Sequence, residues 1–287
     1  MIPVGPQSTL VVAQKKVMVC LPWLKQTNPI TSFCVGQLLD KRRTAAAINF
    51  GDAFVAHSRN ALADAFLASS LEWQLSIDDD MVLPFNNALW YRAHTGWKEY
   101  PEPFASFHTI DRLLSHGKTL VGALYFGRTS PGSRPVFNEG AANKDVELDA
   151  RNTPRDELRP TKWVGTGCLL VHRSVYEDIE KRFPSLARGP ARTGGQWYTS
   201  SEHTAMDWIT KTSKMLSEGP MTGEKAAKAH EMLVHAESHA KGKSSLGMGE
   251  DVQFCLRAAE AGHQPYVDYG LCAGHIGHYV FGPKHRG

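Results

Sequence analysis

The chain has little cysteine: Cys20, Cys34, Cys168, Cys255 and Cys272 are scattered with no C-x-x-C pair, and five is an odd number. That pattern argues against a disulfide framework and leaves the thiols as small buried hydrophobes. Long apolar runs are missing too. The opening stretch MIPVGPQSTLVVAQKK has no basic segment followed by a sustained apolar one, and no later run is long enough to span a bilayer. The expectation is a reducing, cytoplasmic setting with no membrane partner. Charge of one sign is not in excess: 32 Lys and Arg against 29 Asp and Glu give +3, which neither demands nor excludes a polyanionic partner. No G-x-G-x-x-G follows the first apolar run, so a nicotinamide enzyme is unsupported. The H-x-E and P-C-x-x-C pair of zinc deaminases is absent as well. No internal repeat or low-complexity tract is visible.

Against these absences stand 287 residues, 42% of them apolar, enough for one large domain or two small ones. Short apolar runs alternate with helical patterns. A strand is expected from Lys16 to Leu21, stopped by Pro22, then a helix over SFCVGQLLDKRR, a strand at AAAINF, and a helix over DAFVAHSRNALADAFLASS with Val55, Leu62, Ala63, Phe66 and Leu67 inward. A third strand, EWQLSI, is followed by a helix from Phe104 to Ser115 and the strands TLVGALYF and KWVGTGCLLVHR. Ser174 is the expected N-cap of a helix over SVYEDIEKRF. Pro184 to Met221 reads as loop or lid. A helix over TGEKAAKAHEMLVHAESHAKG follows, with Ala226, Ala229, Leu233, Ala236 and Ala240 on one face and a basic stripe of Lys225, Lys228, His235 and His239 beside it. GEDVQFCLRAAEAG reads as a helix, QPYVDYG as a strand and CAGHIGHYVFGP as an irregular tail. The alternation predicts an α/β fold with a mostly parallel sheet, whose ligands gather at the carboxyl ends of the strands.

The densest chemistry lies at one such end. Asp78, Asp79 and Asp80 follow EWQLSI directly, and adjacent carboxylates repel unless solvated or neutralised. In an extended segment Asp78 and Asp80 point the same way, which suits a divalent cation; a solvated turn is the plainer reading. Arg59 lies on the apolar stripe of its helix near the helix start, where an anion would complement it, or where its stem snorkels over the core edge. Glu250 and Asp251 open a helix. The macrodipole alone explains them, and a general base aimed into a cleft explains them equally. His275 and His278, in GHIGH, are candidate metal ligands or incidental loop histidines. Gly165 and Gly167 mark the close approach of a ligand or backbone, or a bulge.

The order of these pieces resembles a GT-A glycosyltransferase: a first strand ending in Leu21-Pro22, SRNALADAF, the acidic triplet, GTGCLLVHR, GEDVQFCLRAAEAGH and a late His. The similarity runs from about Lys16 to Phe281 and looks closest to stand-alone members encoded by phages and prophages. It implies a single GT-A catalytic domain over 1–287, Rossmann-like, with a nucleotide-sugar and metal-binding half over about 1–125. An acceptor-side half over about 126–287 would carry an insertion near 184–245 and a smaller antiparallel C-terminal part. It also implies that Asp78 and Asp80 form a D-x-D motif holding Mn²⁺ or Mg²⁺, completed by His275 or His278. Pro22, Arg59, Asn60, Asp78, Asp79, Gly165 and Gly167 would line the donor, a UDP-sugar foremost. Of Glu250 and Asp251, the second would be the catalytic base. No Q-x-x-R-W motif is present, which disfavours a processive synthase.

The expected function is therefore metal-dependent transfer of a sugar from a nucleotide sugar to an acceptor hydroxyl. The phage-like resemblance, the basic segments Arg182 to Arg192 and Lys225 to His239, and the terminal PKHRG point to a 5-hydroxymethylated base, such as 5-hydroxymethylcytosine in double-stranded phage DNA inside a bacterial host. The alternatives are a saccharide or protein acceptor, a metal-dependent phosphohydrolase or nuclease, and a non-catalytic nucleotide or nucleic-acid binding module.

Overall fold

A computed structural model describes residues 17–23, 27–39, 44–51, 55–85, 87, 89–90, 93, 108–127, 135–138, 157–183, 195–199, 201–240, 249–277 and 280–281. In chain order these form β1 (Val17–Trp23), α1 (Pro29–Leu38), β2 (Thr44–Gly51), α2 (Val55–Ala68), β3 (Trp73–Ile77) and β4 (Met81–Val82). Next come α3 (Thr109–Ser115), β5 (Leu120–Leu124), β6 (Phe137–Asn138), β7 (Leu158–Pro160), β8 (Trp163–Val164), β9 (Cys168–His172) and α4 (Arg173–Arg182). The chain continues through α5 (Ser201–Ser217), α6 (Gly223–Ala240), α7 (Glu250–Glu260), β10 (Tyr266–Cys272), β11 (Gly274–Ile276) and β12 (Val280–Phe281).

The central sheet has the order β2-β1-β3-β9-β5-β10-β7. β1 pairs in parallel with β2 and β3, and β5 with β10. β9 runs antiparallel to both β3 and β5, so β2, β1, β3, β5 and β10 all point one way; β7 opposes them at the edge. The fold is thus the expected α/β class with a mostly parallel sheet flanked by helices, plus a small antiparallel sheet β12-β11-β4. β3 and β5 are buried along their whole length, as strands covered on both faces must be. Among the described residues no helix is long and apolar enough to cross a membrane. All five cysteines are free and buried, and burial pushes the Cys168 thiol up to about 12.

Several local expectations are corrected. β1 continues through Pro22, because its pairing with β3 ends at Cys20 and the missing N–H is tolerated where one neighbour has gone. α1 starts at Pro29 rather than Ser32: Asn28 caps it, its side chain accepting from the Ile30 N–H, and proline suits the first turn. KWVGTGCLLVHR splits into β8 and β9 around the glycines. The cap of α4 is His172, whose ring accepts from the Ser174 N–H. The stretch expected to be loop from Pro184 to Met221 contains the 17-residue helix α5, and the expected irregular tail contains β11 and β12.

In α2 the buried residues are Ser58, Arg59, Leu62, Ala63 and Phe66, while Val55 stays 41% exposed. Burying Leu62 and Phe66 is worth about 2 kcal/mol each. The inward position one turn before them falls to Arg59, and that carries a cation to the carboxyl end of the sheet. On α6, Ala229 and Ala236 are buried as expected, but Ala226 and Leu233 are exposed.

Candidate functional site

Five segments converge at the carboxyl end of the parallel strands. β3 delivers Asp78 to Asp80, β5 runs into Tyr125 and Phe126, and β10 leads into His275. Antiparallel β9 begins here after Gly165 to Gly167, and α7 starts here with Glu250 and Asp251. The Asp78 N–H donates to Gly167 O at 3.1 Å, and the Ile276 N–H to Asp80 O at 2.7 Å, so backbone bonds tie the triplet to both neighbours.

The triplet is not extended. Asp79 and Asp80 form a turn, which removes the alternation that would have aimed Asp78 and Asp80 together. They take different partners instead. Arg59 donates from Nη2 to Asp78 Oδ1 at 2.7 Å and from Nη1 to Glu250 Oε1, bridging the end of β3 to the start of α7. Its side chain is only 7% exposed. Burial works against the guanidinium charge, but Asp78, Glu250 and Asp251 around it hold its pKa above the ordinary value. The repulsion within the acidic group is therefore relieved first by an internal cation.

Asp251 sits beside this bridge. Its Oδ1 accepts from the Val252 N–H at 2.7 Å, and a Cβ on Gly249 would lie 2.8 Å from the same oxygen. Burial is the main force raising the pKa of Asp251; Arg59 opposes it, while Glu250 and Asp78 add to the rise. A carboxylate lifted in this way is a stronger base than an exposed one.

Asp80 Oδ2 faces His275 Nε2 at 3.3 Å, and His275 Nδ1 is 2.8 Å from Phe126 O. A carbonyl only accepts, so Nδ1 carries a proton. In the neutral ring Nε2 then turns a lone pair toward a carboxylate oxygen, an arrangement that needs a cation or a proton between the two. Adjacent ligands of an octahedral Mg²⁺ or Mn²⁺ with bonds of about 2.1 Å lie about 3 Å apart, and a carbonyl on the far nitrogen is the usual support for a metal-binding imidazole. The Asp80 and His275 pair fits such an ion. No three His, Cys, Asp or Glu side chains gather into a metal-holding group among the described residues. Mg²⁺ is nevertheless commonly held by only one or two protein carboxylates when substrate phosphates and water complete the shell. Of the expected set of Asp78, Asp80 and His275, the last two face each other, while Asp78 meets Arg59 through Oδ1. His278 lies outside the described residues.

Where Gly165 and Gly167 lack a Cβ, the nearest neighbour is Tyr125. A Cβ on Gly165 would lie 1.9 Å from the Tyr125 hydroxyl, and one on Gly167 would lie 2.9 Å from Tyr125 Cζ. The Gly167 N–H donates to that hydroxyl at 3.1 Å. Burial chiefly, and then Asp78 and Asp251 nearby, raise the Tyr125 pKa well above the ordinary value. Tyr125 and Phe126 were missed in the sequence; the available signal was a polar aromatic at the carboxyl end of the strand TLVGALYF.

Asn60 has both amide atoms engaged, donating to Tyr198 O at 3.1 Å and accepting from Tyr198 N at 2.7 Å. Asp64 accepts from Gly195 N and Trp197 Nε1, and Arg257 donates to Trp197 O at 3.0 Å and Thr199 Oγ1 at 2.7 Å. Residues 195–199 therefore strap α2 to α7, the two helices that Arg59 also joins. Pro22 closes on the same end from β1, paired with Phe50. Asp79 contributes its backbone carbonyl to Asn28 N at 2.9 Å. In the basic stripe, Lys225 Nζ donates to Glu218 O at 2.6 Å and Gly219 O at 3.1 Å, capping the end of α5.

No protein-family profile matches the chain, and no curated protein matches it in sequence. Among solved structures it is similar to A197 from STIV, at 12% identity and a TM-score of 0.44, over 94% of this chain and 91% of that one. It is also similar to a glycosyltransferase involved in the glycosylation of the major capsid of PBCV-1, at 12% identity and a TM-score of 0.27, over 61% of this chain and 68% of that one. Likenesses this distant carry no functional argument, so the chemistry is argued from the site.

Proposed function

We propose that the chain is a nucleotide-sugar-dependent glycosyltransferase, with Asp80 and His275 as ligands of Mn²⁺ or Mg²⁺ and Asp251 as the base. The observation that carries this reading is the Asp80 and His275 pair, oriented by Phe126 O at the end of the sheet where Asp251 is also desolvated. When bound, the ion supplies Lewis-acid charge to the donor diphosphate as the sugar leaves. Asp251 removes the proton of the acceptor hydroxyl while the new bond to the anomeric carbon forms and the bond to the diphosphate breaks. Arg59 fixes Asp78 and Glu250, which keeps the end of β3 and the start of α7 at a constant separation. The first oxygens of the donor ribose or sugar are assigned to Asp78, through its edge turned away from Arg59.

The test is cleavage of a UDP-sugar with and without an acceptor. Asp80→Ala and His275→Ala are each expected to lower metal-dependent turnover by about 10²-fold or more, given that even groups supporting a metal ligand cost 10–100-fold. Undiminished turnover in Asp80→Ala, or in chelator, sinks the reading. Free phosphate or nicked DNA as product favours the phosphohydrolase alternative, and ligand binding without turnover under any metal favours a binding module.

The acceptor we propose is the 5-hydroxymethyl group of a base in double-stranded DNA, a reading that rests on the basic segments. Lys225 is withdrawn from its support by the cap on α5, and 184–194 and 283–287 lie outside the described residues. Transfer to hydroxymethylated DNA should fall steeply with added salt as phosphate contacts are lost; a salt-independent rate points to a saccharide or protein acceptor.

A further inference from the structure

Tyr125 has no role in the chemistry above, yet it meets both the His275 ring and the Gly165 to Gly167 turn. It is 5% exposed. Its ring stands edge-on to the His275 imidazole, with centroids 5.6 Å apart and planes at 85°. On its other side its hydroxyl lies in the space where Gly165 and Gly167 have no Cβ, and accepts from the Gly167 N–H at 3.1 Å. Gly167 in turn accepts the backbone N–H of Asp78 through its carbonyl. The next residue, Phe126, holds His275 Nδ1.

We infer that Tyr125 is a positioning residue for the metal-ligating imidazole, its ring fixing the plane of His275 and its hydroxyl locking the ring against the Gly165 to Gly167 turn. Phe126 O sets which nitrogen of His275 faces Asp80, but a single hydrogen bond leaves the imidazole free to rock about that bond. The Tyr125 ring edge blocks the rocking, and an edge-to-face aromatic contact contributes about 0.5–1.5 kcal/mol beyond simple burial. The ring could itself tilt if its far end were loose. The clasp between Gly167 N–H and the hydroxyl, in a cradle that admits no side chain, prevents this. The absent Cβ atoms at both glycines are thus a requirement of the metal ligand two strands away.

This inference rests on Asp80 and His275 as the metal ligands, and the experiment separates the two ideas. Binding of Mn²⁺ to the full chain, without sugar or acceptor, is followed through the electron paramagnetic resonance of the free ion, alongside the thermal midpoint of each variant. His275→Ala is the benchmark: if it binds Mn²⁺ as tightly as the wild type, the ligand assignment fails. Given a weakened His275→Ala, Tyr125→Leu is expected to weaken Mn²⁺ binding by about 10–100-fold, the range for groups that orient a metal ligand. Tyr125→Phe, which keeps the ring edge but loses the clasp to the Gly167 N–H, should fall between Tyr125→Leu and the wild type. Gly167→Ala offers a second route should Tyr125→Leu fail to fold. It leaves Tyr125 in place but pushes on its ring and on the flexible Met81 thioether, and should weaken binding in the same direction. Tyr269→Leu, an equally buried tyrosine away from His275, should lower the thermal midpoint and leave Mn²⁺ affinity unchanged. Wild-type affinity in a folded Tyr125→Leu or Gly167→Ala overturns the positioning role.

Discussion

A fully buried carboxylate and a cluster of half-buried ones in this protein are wired in opposite ways. In β10, Asp268 is fully buried and accepts from Arg112 Nε at 2.7 Å, Arg112 Nη2 at 3.0 Å, His116 Nε2 at 2.7 Å and Gly270 N at 2.8 Å. Burial pushes its pKa up, but the bonds from His116 and Arg112 outweigh that and hold it below the ordinary aspartate value. At the carboxyl end of the sheet, Arg59 bonds both Asp78 and Glu250 and lies near Asp251, and Asp251 is driven upward. Among the described residues, donors exceed acids at Asp268, and acids exceed cations around Arg59. The first arrangement favours folding. The second stores unfavourable electrostatics of the kind that functional sites retain.

The largest expected break in this contrast is Asp251→Asn. Turnover should fall by about 10²–10⁴-fold, the contribution of a positioned general base, while the thermal midpoint holds or rises because an amide removes a like charge. A clear drop in midpoint together with retained turnover would erase the distinction between the groups. The pH profile sharpens it. Asp251 must be ionised to act, and its folded pKa is raised, so the acid limb of kcat/KM should lie above the ordinary aspartate value. Asp268→Asn should cost about 3–5 kcal/mol in urea unfolding, the penalty of leaving a buried partner unmatched, with turnover per folded molecule unchanged. Because the folded pKa of Asp268 is depressed, its contribution is complete above the unfolded value of about 3.9 and is lost as pH falls through the folded one. Acid unfolding should therefore be shallower in Asp268→Asn than in the wild type. The smallest effect belongs to Lys225→Ala, which removes the cap on α5 and should cost about 0.5–1 kcal/mol by thermal melting, with no change in nucleic-acid affinity.

The architecture was legible wherever a pattern is local. Short apolar runs alternating with amphipathic stretches gave the strands and helices of the parallel sheet, because backbone period and burial are set within a few residues. Legibility failed where chemistry depends on distant neighbours. α5 was hidden because its sequence mixes Ser, Thr and Lys with apolar residues and the helix packs on α6. β11 and β12 were hidden because strands of two or three residues form only when a neighbour pairs with them.

The sequence by itself determined the fold class, the inward-facing cation Arg59, and the acids and the His275 imidazole brought to one end of the sheet. It could not decide how these groups are partnered. Asp78 and Asp80 lie two residues apart, yet one meets a guanidinium and the other an imidazole, since a turn sends them in different directions. Likewise the partner of Gly165 and Gly167 is a tyrosine some forty residues earlier. Propensity and hydrophobic period act along the chain, whereas Coulomb forces, hydrogen bonds and close packing act across space, and only the folded chain brings those distances within reach.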